Sequence, residues 1–149
     1  MPLSLCLQLL RLSYFDAELL YELSNQIGSL SLDAPIHTQR EVYDVLTRCW
    51  GNFFSIADGR DVPFAVARTL ACINQFQQAI EFYGESLRLY GERAETYQNI
   101  AICQFNLEQF GEAEKSANSA LKVDPQSDAS KSLLVRISEV RERENKLTL

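Results

Sequence analysis

One histidine, four cysteines, four prolines and six glycines among 149 residues leave little material for several kinds of chemistry and fold. Cys6, Cys49, Cys72 and Cys103 stand tens of residues apart with no C-x-x-C pair, and only His37 can add an imidazole. That spacing is wrong for a closed zinc site, so no metal is expected and the four thiols are expected to be buried. The scarcity of glycine and proline argues against a turn-rich all-β design. No cluster of Lys and Arg occurs, and 14 basic against 20 acidic residues give a net charge of −6 and a pI near 4.8. The footprint for non-specific nucleic-acid binding is therefore missing, and docking on an anionic membrane is unfavourable.

Long apolar runs are also missing. Leu3 to Leu12 is apolar but only about ten residues long, is interrupted by Arg11, and has neither a basic leader nor a small-x-small cleavage site. It reads as a helix, neither a membrane span nor a signal peptide. Leu5 before Cys6 is too bulky for a lipoprotein signal, and together these features predict a cytoplasmic protein. Phosphate-loop, dinucleotide, zincin and nucleophile-elbow motifs are absent, and a Cys-His dyad would have only His37 to recruit. No enzyme activity and no cofactor are expected. Asp58-Gly59-Arg60-Asp61 starts like a calcium loop but lacks the remaining oxygen ligands; a turn and helix N-cap explain all four residues.

What is present is 46% hydrophobic and 23% charged residues, enough for one packed, helical domain over 1–149. A shift of 34 residues lays Arg60–Arg93 over Ala94–Ser127. Counting each copy from one, positions 4, 7, 8, 11, 17, 20, 24 and 28 are Pro63, Val66, Ala67, Leu70, Phe76, Ala79, Tyr83 and Leu87, then Tyr97, Ile100, Ala101, Gln104, Phe110, Ala113, Ala117 and Leu121. The first four form one helical stripe and the last four another, so each copy predicts two helices packed antiparallel across a short turn at Asn74-Gln75 or Glu108-Gln109. Alanines at positions 8 and 20 let the two backbones approach closely. Pro125 at position 32 ends the second pair; Gly91 takes that slot in the first and can end its helix in a left-handed conformation. Gln104 and Ser86 replace the usual aromatic at position 11 and alanine at 27, and both can be accommodated by hydrogen bonding or an adjoining helix.

The small residues at 8 and 20, the aromatic at 17 and the proline at 32 together resemble the tetratricopeptide repeat (TPR) family. The resemblance implies an all-α, right-handed superhelix of antiparallel hairpins with N- and C-terminal capping helices, about eight helices in all. On this reading residues 1–15 carry an N-terminal helix, 17–59 a degenerate repeat, 60–93 and 94–127 two clear repeats, and 128–145 a C-terminal capping helix. Leu20, Leu23, Ser24 and Ile27 fit positions 4, 7, 8 and 11, and Val42, Val45, Cys49 and Phe53 fit 17, 20, 24 and 28. The inner turn, Gly28 to Pro35, is longer than a repeat allows, so two unrelated packing helices remain the alternative. Ser127-Asp128 caps the last helix, whose buried face is expected to hold Ala129, Leu133, Ile137 and Val140.

The resemblance also implies a function: the first helix of each pair lines a concave groove in which positions 2, 5, 9, 12 and 13 face a bound polypeptide. In this chain those positions include Tyr21 and Asn25, then Phe64, Arg68 and Cys72, then Gln98, Ile102 and Phe105. The carboxylate clamp of heat-shock co-chaperones is not expected. Its slots read Tyr21, Asn25, Ala65, Glu95 and Asn99 in one alignment, where Glu95 would repel the ligand, and Phe64, Arg68, Asn99, Ala129 and Leu133 in the other. A non-enzymatic adaptor, assembly factor or chaperone with a protein partner is the main expectation. Size and layout are also similar to the class II chaperones of type III secretion translocators. A third reading is a homo-oligomer built by swapping the apolar N-terminal helix.

Overall fold

The computed structural model describes residues 4–6, 8, 25–27, 34–50 and 61–147, all of them helix or the turns between helices, with no strand among them. The chain divides into two compact units, Met1–Ser86 and Leu87–Leu149. Residues 4–6, 8 and 25–27 are helical. Cys6 and Ile27 are buried there, with Cys6 Sγ 3.9 Å from Gln26 Oε1. Most of the degenerate repeat, including Leu20, Tyr21 and Leu23, lies outside the described residues.

Helix α1 (Ile36–Trp50) starts where the Pro35 carbonyl accepts the Gln39 amide at 3.0 Å. Val42 and Val45 are buried, as the stripe with three-residue spacing requires. The expected extension of α1 to Phe54 lies outside the described residues. Helix α2 (Val62–Cys72) is capped by Asp61, whose side chain accepts the Phe64 amide at 3.1 Å, with Pro63 in the first turn where it forfeits no bond. Every residue from Val62 to Leu70 is buried except Arg68, and the buried Thr69 hydroxyl bonds back to the Ala65 carbonyl at 3.0 Å. A helix enclosed on so many sides is an interior element of its unit.

Helix α3 (Phe76–Tyr90) buries Ala79, Tyr83 and Ser86, spaced four and three residues apart. Phe64, at the start of α2, meets Tyr83 edge-on at 5.5 Å, and Asp61 meets Ser86, so the beginning of α2 lies beside the far part of α3. The two helices therefore run antiparallel. The replacement at Ser86 is accommodated by hydrogen bonding: its buried hydroxyl donates to Asp61 Oδ2 at 2.5 Å.

The Leu87–Leu149 unit contains α4 (Ala94–Asn106), α5 (Phe110–Val123) and α6 (Asp128–Leu147). Ala101 on α4 and Ala113 and Ala117 on α5 form one core with Ile137 on α6, with Phe105, Phe110, Leu133 and Leu134 packed against it. The methyl side chains of Ala101, Ala113 and Ala117 in this core let the α4 and α5 backbones approach, as the alanine pairs predict. Phe105, near the end of α4, meets Phe110 at the start of α5, which fixes the second antiparallel pair. The replacement at Gln104 is likewise satisfied, its Oε1 accepting the Ser116 hydroxyl at 2.7 Å.

The turns repeat as faithfully as the helices. Asn74 and Glu108, both fifteenth in their copies, adopt φ of 61° and 60°. Gln75 donates to Leu70 and Gln109 to Gln104, each at 2.9 Å, while Asn74 and Glu108 donate to Ala71 and Phe105. This is the Schellman closure of a helix on a left-handed residue, and it turns the chain within three residues. Gly91 (φ 85°) ends α3 in the same left-handed region. Asp124 ends α5, its side chain accepting the Gln126 amide at 3.1 Å across Pro125.

The capping helix α6 extends to Leu147, with Ser127 Oγ accepting the Ser130 amide at 3.2 Å as N-cap. One detail of its buried face is corrected. Ser130 is buried and Ala129 is exposed, because Gln98 on α4 donates 2.8 Å bonds to both Ser127 and Ser130 and turns that edge inward. The thiols also divide: Cys6 and Cys103 are buried, whereas Cys72 is half-buried.

Candidate functional site

Helices α2, α4 and α6 are the first helices of successive 34-residue periods, and each carries buried residues: α2 is almost wholly enclosed, α4 buries a stripe, and α6 buries only Ser130 and Ile137. Val66, Ala67, Thr69 and Leu70 are buried on α2, Ile100, Ala101 and Cys103 on α4, and Ile137 on α6. Yet the ninth position is exposed on all three: Arg68, Ile102 and Arg136. Asn25, expected from the sequence to take the same position, is half-buried. Within the Leu87–Leu149 unit, Ile102 and Arg136 thus share one open register position, and Arg68 holds the same position on α2 of the other unit.

The other expected groove residues are placed less openly. Phe64 keeps only 8% of its surface exposed and packs on Tyr83, so its bulk holds the α2–α3 hairpin together. Gln98 is committed to Ser127 and Ser130. Phe105 is half-buried, 5.3 Å edge-on from Phe110, and carries the Arg136 guanidinium 5.2 Å above its ring. Tyr21 lies outside the described residues. Cys72 is one turn beyond Arg68; burial pushes its thiol up, and the Arg68 charge offsets part of that rise.

Arg136 is absent from the groove face as read from the sequence. Extending the 34-residue period past Ser127 would have found it, since Arg68, Ile102 and Arg136 are evenly spaced. Ile102 is 46% exposed, an aliphatic side chain among few so open. Beside it, Asn106 donates its side-chain amide to the Ile102 carbonyl at 2.9 Å, and at the other end of α4 Tyr97 donates to Glu92 at 2.7 Å. That bond, with burial and the Glu92 charge, pushes the Tyr97 phenol up.

The interior holds polar groups of a different kind. Cys103 is pushed up to about 12 by burial alone. Thr96 is fully buried, and its hydroxyl finds no hydrogen-bond partner among the described residues. Among those residues no three His, Cys, Asp or Glu side chains are grouped to hold a metal ion, and no helix is long and apolar enough to cross a membrane.

Comparison with known proteins agrees with this geometry. Residues 74–137 match the family described as tetratricopeptide repeat. The fold is similar to the NMR structure of the first TPR domain of the human RPAP3 protein, with a TM-score of 0.65 and 20% identity over 89% of this chain and 98% of that one. A 48-residue stretch is 46% identical to the mitochondrial import receptor subunit TOM34 of Rattus norvegicus. That stretch is 32% of this chain and 16% of the relative, so the likeness spans about a sixth of the relative's length.

Proposed function

Because this chain belongs to the tetratricopeptide repeat family and has its all-α solenoid fold, we propose that it is a non-enzymatic interaction module that docks a partner polypeptide on its first helices. The observation that supports this most is the recurrent exposure of position nine, at Arg68, Ile102 and Arg136, each directly beside a buried residue of its helix. Long side chains projecting from rigid helices offer contact area with little reorganisation of the backbone. The same reading assigns the protein to the cytoplasm, as an adaptor, assembly factor or chaperone. The rat relative is named as an import receptor subunit.

The test is capture of partners from the native host by the wild type and by an Arg68→Glu/Ile102→Glu variant. Both exchanges sit on exposed positions, so helicity and melting temperature should be retained. A partner bound by the wild type should be lost from the variant. Equal capture by both proteins would remove docking from the exposed ninth positions of α2 and of α4.

A further inference from the structure

We propose that Ile102, Phe105 and Arg136 in the Leu87–Leu149 unit set the specificity of this docking face, selecting a segment with an Asp or Glu side chain next to a branched aliphatic residue. The inference rests on the reading above and adds the chemistry of the ligand.

The arrangement is built from the core outward. Phe110 packs against the alanine core and holds Phe105 edge-on at 5.3 Å with the rings inclined by 70°. Phe105 in turn offers its face to Arg136 at 5.2 Å. A guanidinium held over a ring by cation–π attraction keeps five N–H donors for other partners, since the ring accepts through its π face. The contact restricts a side chain that would otherwise lose much rotamer freedom on binding, so the fork is partly organised before a ligand arrives. Arg136 makes no ion pair among the described residues, although Arg141 on the same helix pairs with Glu114 and Lys115 on α5 pairs with Glu112.

Charge complementarity then commits the occupant. A planar donor fork beside an aromatic ring is matched by a carboxylate, which accepts two parallel hydrogen bonds. Ile102 lies three residues before Phe105, on the same face of α4, and its exposed surface is matched by an aliphatic neighbour of that carboxylate. The two preferences lie side by side on one unit. The carboxylate belongs to a side chain, because the next cation on α6, Arg141, is paired with Glu114 and leaves no second fork for a chain terminus.

The experiment is selection of random twelve-residue peptides, displayed with their C-termini blocked by fusion, on the full-length protein, followed by affinity measurement of the recovered peptides. Recovered sequences should carry Asp or Glu adjacent to Leu, Ile or Val. Arg136→Gln should weaken them at least about tenfold, Ile102→Ala by a few-fold, and Arg136→Lys should fall between wild type and Gln, because it keeps the charge and loses the fork. Raising salt to 0.5 M should shrink the effect of Arg136→Gln. Peptides that bind equally well to Arg136→Gln but are lost on Arg68→Glu would overturn this inference and leave the docking face standing on α2. Recovery only with free C-termini would overturn it too. Peptides indifferent to all three exposed positions, or no recovered peptides at all, would count against both readings.

Discussion

Asp61 and Ser86 are joined at 2.5 Å while the other carboxylate oxygen of Asp61 caps α2 through the Phe64 amide. One side chain thus fixes where α2 begins and where α3 lies against it. Asp61→Ala should cost about 2–4 kcal/mol, as it removes an N-cap and strands a buried hydroxyl. Ser86→Ala should cost only about 1 kcal/mol, since Asp61 is partly exposed and water can replace the bond. In urea unfolding the double variant should lose less than the two single losses together. Strict additivity would show that the pair is not coupled.

Glu108 sits at a left-handed φ of 60° that disfavours any residue with a Cβ. Glu108→Gly should therefore raise stability by about 1 kcal/mol, and Asn74→Gly by less, because asparagine tolerates that conformation better. Thermal unfolding of the two variants measures the difference. A loss at Glu108→Gly would place the energy of that turn in side-chain contacts.

Gly84 lies in the interior of α3, and a Cβ added there meets nothing within 4 Å. Gly84→Ala should stabilise the protein by about 0.5–1 kcal/mol through reduced backbone freedom of the unfolded chain. An unchanged or lower midpoint in urea would contradict the open surroundings of that position.

The buried Thr96 hydroxyl has no partner among the described residues, so it was desolvated without recompense. Thr96→Val keeps the shape and removes the polar atom, and should be stabilising by roughly 1 kcal/mol. Destabilisation on that exchange would reveal a hydrogen bond at this site.

Cys103 gives stability a dependence on alkaline pH. Its thiol is pushed from 9.0 to about 12 in the folded protein, so from pH 9 upward the unfolded chain releases a proton that the folded chain keeps. Stability is then constant below pH 9 and falls by about 1.4 kcal/mol per pH unit as pH rises toward 12. Between pH 8.5 and 10.5 the wild type should lose about 2 kcal/mol more than Cys103→Ala, measured by urea unfolding at each pH. Parallel losses would mean that Cys103 ionises normally in the native state.

The helices from Val62 to Leu147 were legible because apolar and small residues recur with helical spacing and the whole pattern repeats after 34 residues. The N-cap at Asp61 and the left-handed Gly91 were also readable, since each follows from the chemistry of one residue. What a linear pattern could not give is commitment among side chains. Gln98 and Phe105 carry the right register for a docking face, but Gln98 is bound to Ser127 and Ser130, and Phe105 lies between Phe110 and Arg136. Those partners are 29 to 32 residues away for Gln98, beyond the reach of any local rule. Glu108 was hidden for the opposite reason: nothing about glutamate announces a left-handed backbone, and only its alignment with Asn74 does.

The even spacing of Arg68, Ile102 and Arg136 separates two kinds of information in one chain. Alanines and tight turns store the architecture. On the proposed function the three outward side chains store the choice of companion, and exchanging Arg68 or Ile102 would rewrite the address at little risk to folding.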